Sequence, residues 1–100
     1  MALSVQQLAA LRDRPEISIR VRFYLFETAV AKAKAAMPTD VDLALAKSVL
    51  QGKADIGLWC EAVLTQTDVA TAADPLKVSD VVIGNAVSSV WTAFAVASSV

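Results

Sequence analysis

One hundred residues suffice for one domain, and the chain is expected to fold as a single helical unit over residues 1–100. At 56% hydrophobic and 19% charged, with three glycines and three prolines, it is too apolar for a disordered chain and too poor in breakers for a loop-rich one. The absence of histidine and the single cysteine exclude imidazole general bases, Ser-His-Asp and Cys-His arrangements, most zinc sites and any intramolecular disulfide.

Net charge is −1, unevenly spread. Residues 12–34 hold six bases and three acids, a local +3, whereas residues 35–100 hold three bases and seven acids, a local −4. Such polarity can orient neighbouring copies, although a solvated helix face produces the same pattern. The opening "MALSVQQLAALRDRPE" lacks the basic start and continuous apolar stretch of a signal peptide, so the protein is expected to stay where it is translated.

A first, short helix is expected over residues 5–13, with Ser4 as N-cap and Val5, Leu8 and Leu11 at helical spacing. Pro15 interrupts it and opens a long helix, "PEISIRVRFYLFETAVAKAKAA", because proline suits a first helical turn. Glu16 is placed to pair with Arg20 one turn on. This helix carries two apolar stripes: Ile17, Val21, Tyr24, Leu25 and Thr28 form one, and Ile19, Phe23, Phe26 and Val30 the other. One stripe serves a surface helix; two imply burial on two sides, the second against another subunit.

"MPTD" predicts a break at Pro38 and a cap at Thr39 or Asp40 for a third helix, "VDLALAKSVLQ", ending at Gly52. Its main stripe is read as Val41, Leu45 and Val49, widened by Ala46 and Leu50. The fourth helix, "ADIGLWCEAVLTQ", presents Ile56, Leu58, Trp59 and Val63, with Cys60 as a small buried apolar residue and Gly57 as a point of close packing. "TDVATAADPLKVSD" reads as a connector with one short helical turn, and Ser79 or Asp80 caps a final helix over residues 79–100. No strand alternation occurs, so the fold class is all-α: a bundle of four to five helices around one long central helix.

After Asp80 no charge occurs through to Val100. A membrane span needs about 20 apolar residues. Asn85, Ser88, Ser89, Thr92, Ser98 and Ser99 interrupt this one, and Trp91 lies near its middle instead of at an interface. Val82, Ile83, Ala86, Val87, Val90, Trp91 and Phe94 form one stripe instead, leaving an uncharged polar back. Charged residues dominate solvated faces and are depleted from interface cores, so this back is expected to meet another subunit.

Neither a phosphate-cradling glycine loop nor EF-hand spacing is present; Asp40 and Asp42 read as acids at a helix start. No catalytic residue, cofactor or metal ligand is expected, and the reading is non-enzymatic. The arginines Arg12, Arg14, Arg20 and Arg22 are the electrostatic contact candidates, and would be the phosphate contacts if DNA were bound.

Three stretches, "RVRFYLFETAV", "LALAKSVLQGK" running into "LWCEAVLTQTDVATAA", and "VSDVVIGNAVSSVWTAFA", resemble short helical virion-associated proteins of tailed bacteriophages. The resemblance covers most of the chain and rests on aliphatic patterns and a Trp-x-x-Phe ending. It implies a structural virion component, assembled in the host cytoplasm. Ring assembly would pair a basic face with an acidic one. The leading expectation is a head-to-tail connector (adaptor, neck) subunit forming a homo-oligomeric ring. Its partners would be its own copies and portal or tail components. Its subunit interface would be drawn from Phe23, Phe26, Ser88, Ser89, Trp91 and Phe94. The alternatives are a capsid accessory or decoration protein, a small phage regulator or DNA-binding protein, and a holin-like membrane protein.

Overall fold

In the computed structural model, residues 3–35, 39–52 and 55–98 are described. The expected break at Pro38 and the polar Ser99 lie outside them. The described residues form six α-helices and one 3-10 turn, with no strand, and the protein is an all-α bundle.

Helix α1, Val5–Arg12, starts at a reciprocal capping box. The Ser4 hydroxyl accepts from the Gln7 backbone N–H (3.1 Å), and the Gln7 side chain accepts from the Ser4 N–H (2.9 Å). Leu8 and Leu11 pack partly into the core, while Val5 projects into solvent. Helix α2, Pro15–Lys34, has its proline in the first turn beside Glu16, and Lys32 and Lys34 in the last, as the helix dipole favours. Only the first of its two stripes is internal. Ile17, Val21, Leu25 and Ala29 are buried, with Tyr24 partly so.

Helix α3, Asp40–Leu50, is capped by the Thr39 hydroxyl, which accepts from Asp42 N–H. Gly52 follows it at φ +70°, the left-handed conformation that glycine adopts without a Cβ penalty. The buried residues of α3 are Asp42, Ala46 and Val49; of the expected stripe, Val49 and the widening Ala46 are buried, whereas Val41 and Leu45 are half-buried and Asp42 is the unexpected member. Leu50 points outward. Asp42 is satisfied there by the Trp91 indole N–H, which donates to its carboxylate at 3.1 Å.

Helix α4, Ile56–Leu64, is capped by Asp55 and buries Trp59, Cys60, Val63 and Leu64, leaving Leu58 exposed. Gly57 would place a Cβ 3.2 Å from the Asp55 carboxylate and 3.7 Å from the Arg12 side chain, so the approach there is close. The connector holds α5, Thr67–Ala70, and the 3-10 turn Pro75–Lys77. One helical turn is legible from the sequence in this stretch; its split into two short pieces is not.

Helix α6, Asp80–Ser98, is capped by Ser79 through its hydroxyl, which accepts from Val82 N–H. It buries Ile83, Ala86, Val87, Val90 and Trp91. Its Gly84 lets α2 approach: a Cβ at this position would sit 3.4 Å from the Tyr24 ring. A radius of gyration of 13.3 Å matches the roughly 13 Å of an independently folded domain of this length.

Candidate subunit interface

The outer side of α2 carries four large apolar side chains that the bundle leaves exposed. Ile19 is 65% exposed, Phe23 56%, Phe26 41% and Val30 38%, and their spacing of four, three and four residues lines them up along one side. The buried row Ile17, Val21, Leu25 and Ala29 lies directly opposite. Phe23 is held by an edge-on contact with Tyr24, ring centroids 5.0 Å apart, and Tyr24 in turn abuts Gly84. The aromatic stripe is thus displayed from a helix whose other side is locked in the core. Beside Phe26, an open groove of about 250 Å³ runs between α2, α3 and α4, lined by Arg22, Leu25, Phe26, Val49, Gly52 and Ile56.

A second uncharged surface is the back of α6, where Asn85, Ser88, Ser89 and Thr92 are all exposed. Val81 and Val96, 71% and 61% exposed, extend it towards either end. The Thr92 hydroxyl donates to the Ser88 carbonyl (3.2 Å). This satisfies one hydrogen-bonding group of the face within the helix itself. By length and composition α6 could cross a membrane, yet its apolar side is already the centre of the bundle.

Of the six residues expected at an interface, Phe23 and Phe26 lie on the exposed side of α2, and Ser88 and Ser89 on the exposed side of α6. Trp91 is a correction. At 1% exposure it belongs to the monomer core, packed 6.0 Å from Trp59 and bonded to Asp42, so it has no surface to offer a neighbour. Phe94 is partly buried and stands edge-on to Trp59 at 4.7 Å, which makes it chiefly an internal residue.

The arginines also divide. Arg12 pairs with Glu61 on α4 and with Asp13 at 3.5 Å. Arg14 pairs with Glu16 at 2.6 Å, displacing the expected Glu16–Arg20 pair. The hydrogen bond from Arg14, ahead of any other influence, holds the Glu16 carboxyl below its usual range. Arg20 reaches Asp80 at 2.9 Å and donates to the Val78 carbonyl at 2.6 Å, tying α2 to the start of α6. Much of the basic N-terminal half is therefore neutralised within the chain, in part by acids of the C-terminal half. Arg22 alone of the four makes no ion pair among the described residues.

Cys60 is fully buried, and desolvation first of all pushes its thiol up to about 11, so it is held as a neutral packing group. Among the described residues, no group of three or more His, Cys, Asp or Glu side chains could hold a metal ion. Every buried side-chain polar atom among them has a hydrogen-bond partner. Compared with family models, curated proteins and solved structures, the chain finds no match in any of the three.

The second stripe read from the sequence, Ile19, Phe23, Phe26 and Val30, is exposed at all four positions, although only its phenylalanines are among the six expected interface residues. Glu27 joins them as a residue the pattern does not single out. Its signal is its position, on the opposite shoulder of the stripe from Arg22.

Proposed function

We propose that the protein is a non-enzymatic assembly subunit of a tailed-bacteriophage virion, acting as a head-to-tail connector that forms a homo-oligomeric ring. The observation that carries the assembly part is the exposed row Ile19, Phe23, Phe26 and Val30 on a helix whose other side, Ile17, Val21, Leu25 and Ala29, is buried in the core. The largest apolar patch on a protein surface is often a functional contact site, whereas apolar side chains scattered singly need no explanation. The phage part rests on the resemblance of "RVRFYLFETAV" and "VSDVVIGNAVSSVWTAFA" to short virion-associated proteins.

A ring grows by heterologous contacts, in which one face meets a different face of the next copy. The chain carries two suitable unlike surfaces, the aromatic row on α2 and the small, uncharged back of α6 around Ser88 and Ser89. Overall basic-to-acidic attraction contributes less than the sequence suggests, because Arg12, Arg14 and Arg20 are already paired internally. Apolar burial and shape are left to drive the contact.

Mass spectrometry of purified particles tests the reading. A connector should be present at about a dozen copies per particle, as expected for one cyclic ring. Hundreds of copies would transfer the protein to the decoration class. Absence from particles would overturn the virion assignment.

A further inference from the structure

Arg22 and Glu27 are both exposed, and neither makes an ion pair among the described residues, although most other charges on the first half of α2 do. They stand on opposite shoulders of the row Ile19, Phe23, Phe26 and Val30, five residues apart. The row itself has the alternating four-and-three spacing of a coiled-coil seam, continued by the exposed Ala33.

We propose that the free protein associates with a second copy of itself through α2, the two helices lying parallel along this seam, with Arg22 of each copy paired to Glu27 of the other. The charges choose the direction. In a parallel pair, the shoulder before a seam residue meets the opposite shoulder of the partner about five residues further on, which brings Arg22 to Glu27 twice. In an antiparallel pair like shoulders face each other, so each Arg22 would share a side with the other Arg22, and each Glu27 with the other Glu27. The parallel arrangement satisfies both exposed charges, and the antiparallel one sets like against like. Phe23 and Phe26 then meet their own copies across the two-fold axis, with Ile19 and Val30 closing the ends.

The pair is weak by construction. The seam offers apolar surface on the order of a few hundred Å² per copy, less than the ~800 Å² per partner of a standard stable interface. The association is therefore concentration-dependent, and the exposed ion pairs set its direction more than its strength. A two-fold pair is closed, so this is a form of the unassembled subunit. It goes beyond the ring reading and stands whether or not the protein enters a virion.

Sedimentation velocity on the full chain, over a concentration series reaching roughly 0.1–1 mM, tests it. The expected result is a reversible monomer–dimer equilibrium that Phe23→Ser abolishes while far-UV circular dichroism stays unchanged. Arg22→Glu alone and Glu27→Arg alone should each weaken the dimer by about tenfold, because each replaces two attractions by two repulsions. The double variant Arg22→Glu/Glu27→Arg should restore it. A monomer across the whole range would overturn the proposal, as would an oligomer indifferent to Phe23→Ser or a double variant no tighter than the singles.

Discussion

Trp91 buries its ring between α4 and α6 and sends its indole N–H to the Asp42 carboxylate, which also accepts from the Thr39 hydroxyl at 3.1 Å. Packing and polar satisfaction can be separated here. Trp91→Phe keeps most of the packing but removes a buried donor, and is expected to cost about 1–3 kcal/mol. Trp91→Ala adds a cavity and should cost about 3–5 kcal/mol. Urea titrations of the two variants check both, and equal losses would deny the hydrogen bond a role. Cys60 gives a pH-dependent prediction. Its thiol is raised from the ordinary value of 9.0 to about 11 in the folded state, so the unfolded chain loses the proton first. This contribution to stability is full below pH 9 and declines as pH rises towards 11, by on the order of 2–3 kcal/mol. Comparing Cys60→Val with the parent chain between pH 8 and pH 11 isolates it: the variant should show the shallower decline. Neither residue can be placed fully from the sequence. An apolar run makes Cys60 core, but a tryptophan on an apolar stripe fits a core and an interface equally, and the acid that meets it is 49 residues away.

At the scale of elements, the two stripes of α2 and the polar back of α6 are legible because side chains three and four residues apart share a helix face. Which stripe the bundle covers depends on how α3, α4 and α6 pack, and local spacing does not carry that information. The same limit explains the arginines: Arg20 meets Asp80 across 60 residues of chain, while the nearby Glu16 turns to Arg14. Two glycines test how the elements join. A Cβ added at Gly52 would have no neighbour within 4 Å, so Gly52→Ala should cost only the left-handed backbone term, about 1 kcal/mol. Gly84→Ala meets Tyr24 at an ordinary contact distance and gains helix propensity, so it should be neutral or stabilising by up to about 1 kcal/mol. Gly84→Leu must displace the Tyr24 ring and should destabilise by about 1–3 kcal/mol. Thermal melts of the three variants would rank them, and a harmless Gly84→Leu would show that α2 and α6 are not closely apposed at this point.

For the molecule as a whole, α2 to α6 each bury side chains in the core, while several large apolar side chains stay outside it. Surface positions can therefore be changed without loss of fold, which makes assembly separable from stability. Ser88→Lys places a long cation on the uncharged back of α6. It should leave the stability of the isolated protein within about 0.5 kcal/mol of the parent. If that back meets another subunit, the same change should exclude the protein from assembled particles. Normal incorporation of the lysine variant would remove α6 from the assembly surface and leave α2 as the remaining candidate.

The two tryptophans, Trp59 and Trp91, are both at or below 3% exposure and in contact with each other. Their emission is therefore a reporter confined to the α4–α6 junction: shielded from quenchers while the chain is folded, red-shifted when it opens. The phenylalanines on α2 lie outside that reporter. Intrinsic fluorescence should follow unfolding and stay blind to association, so one sample can be read twice, optically for its fold and hydrodynamically for its company.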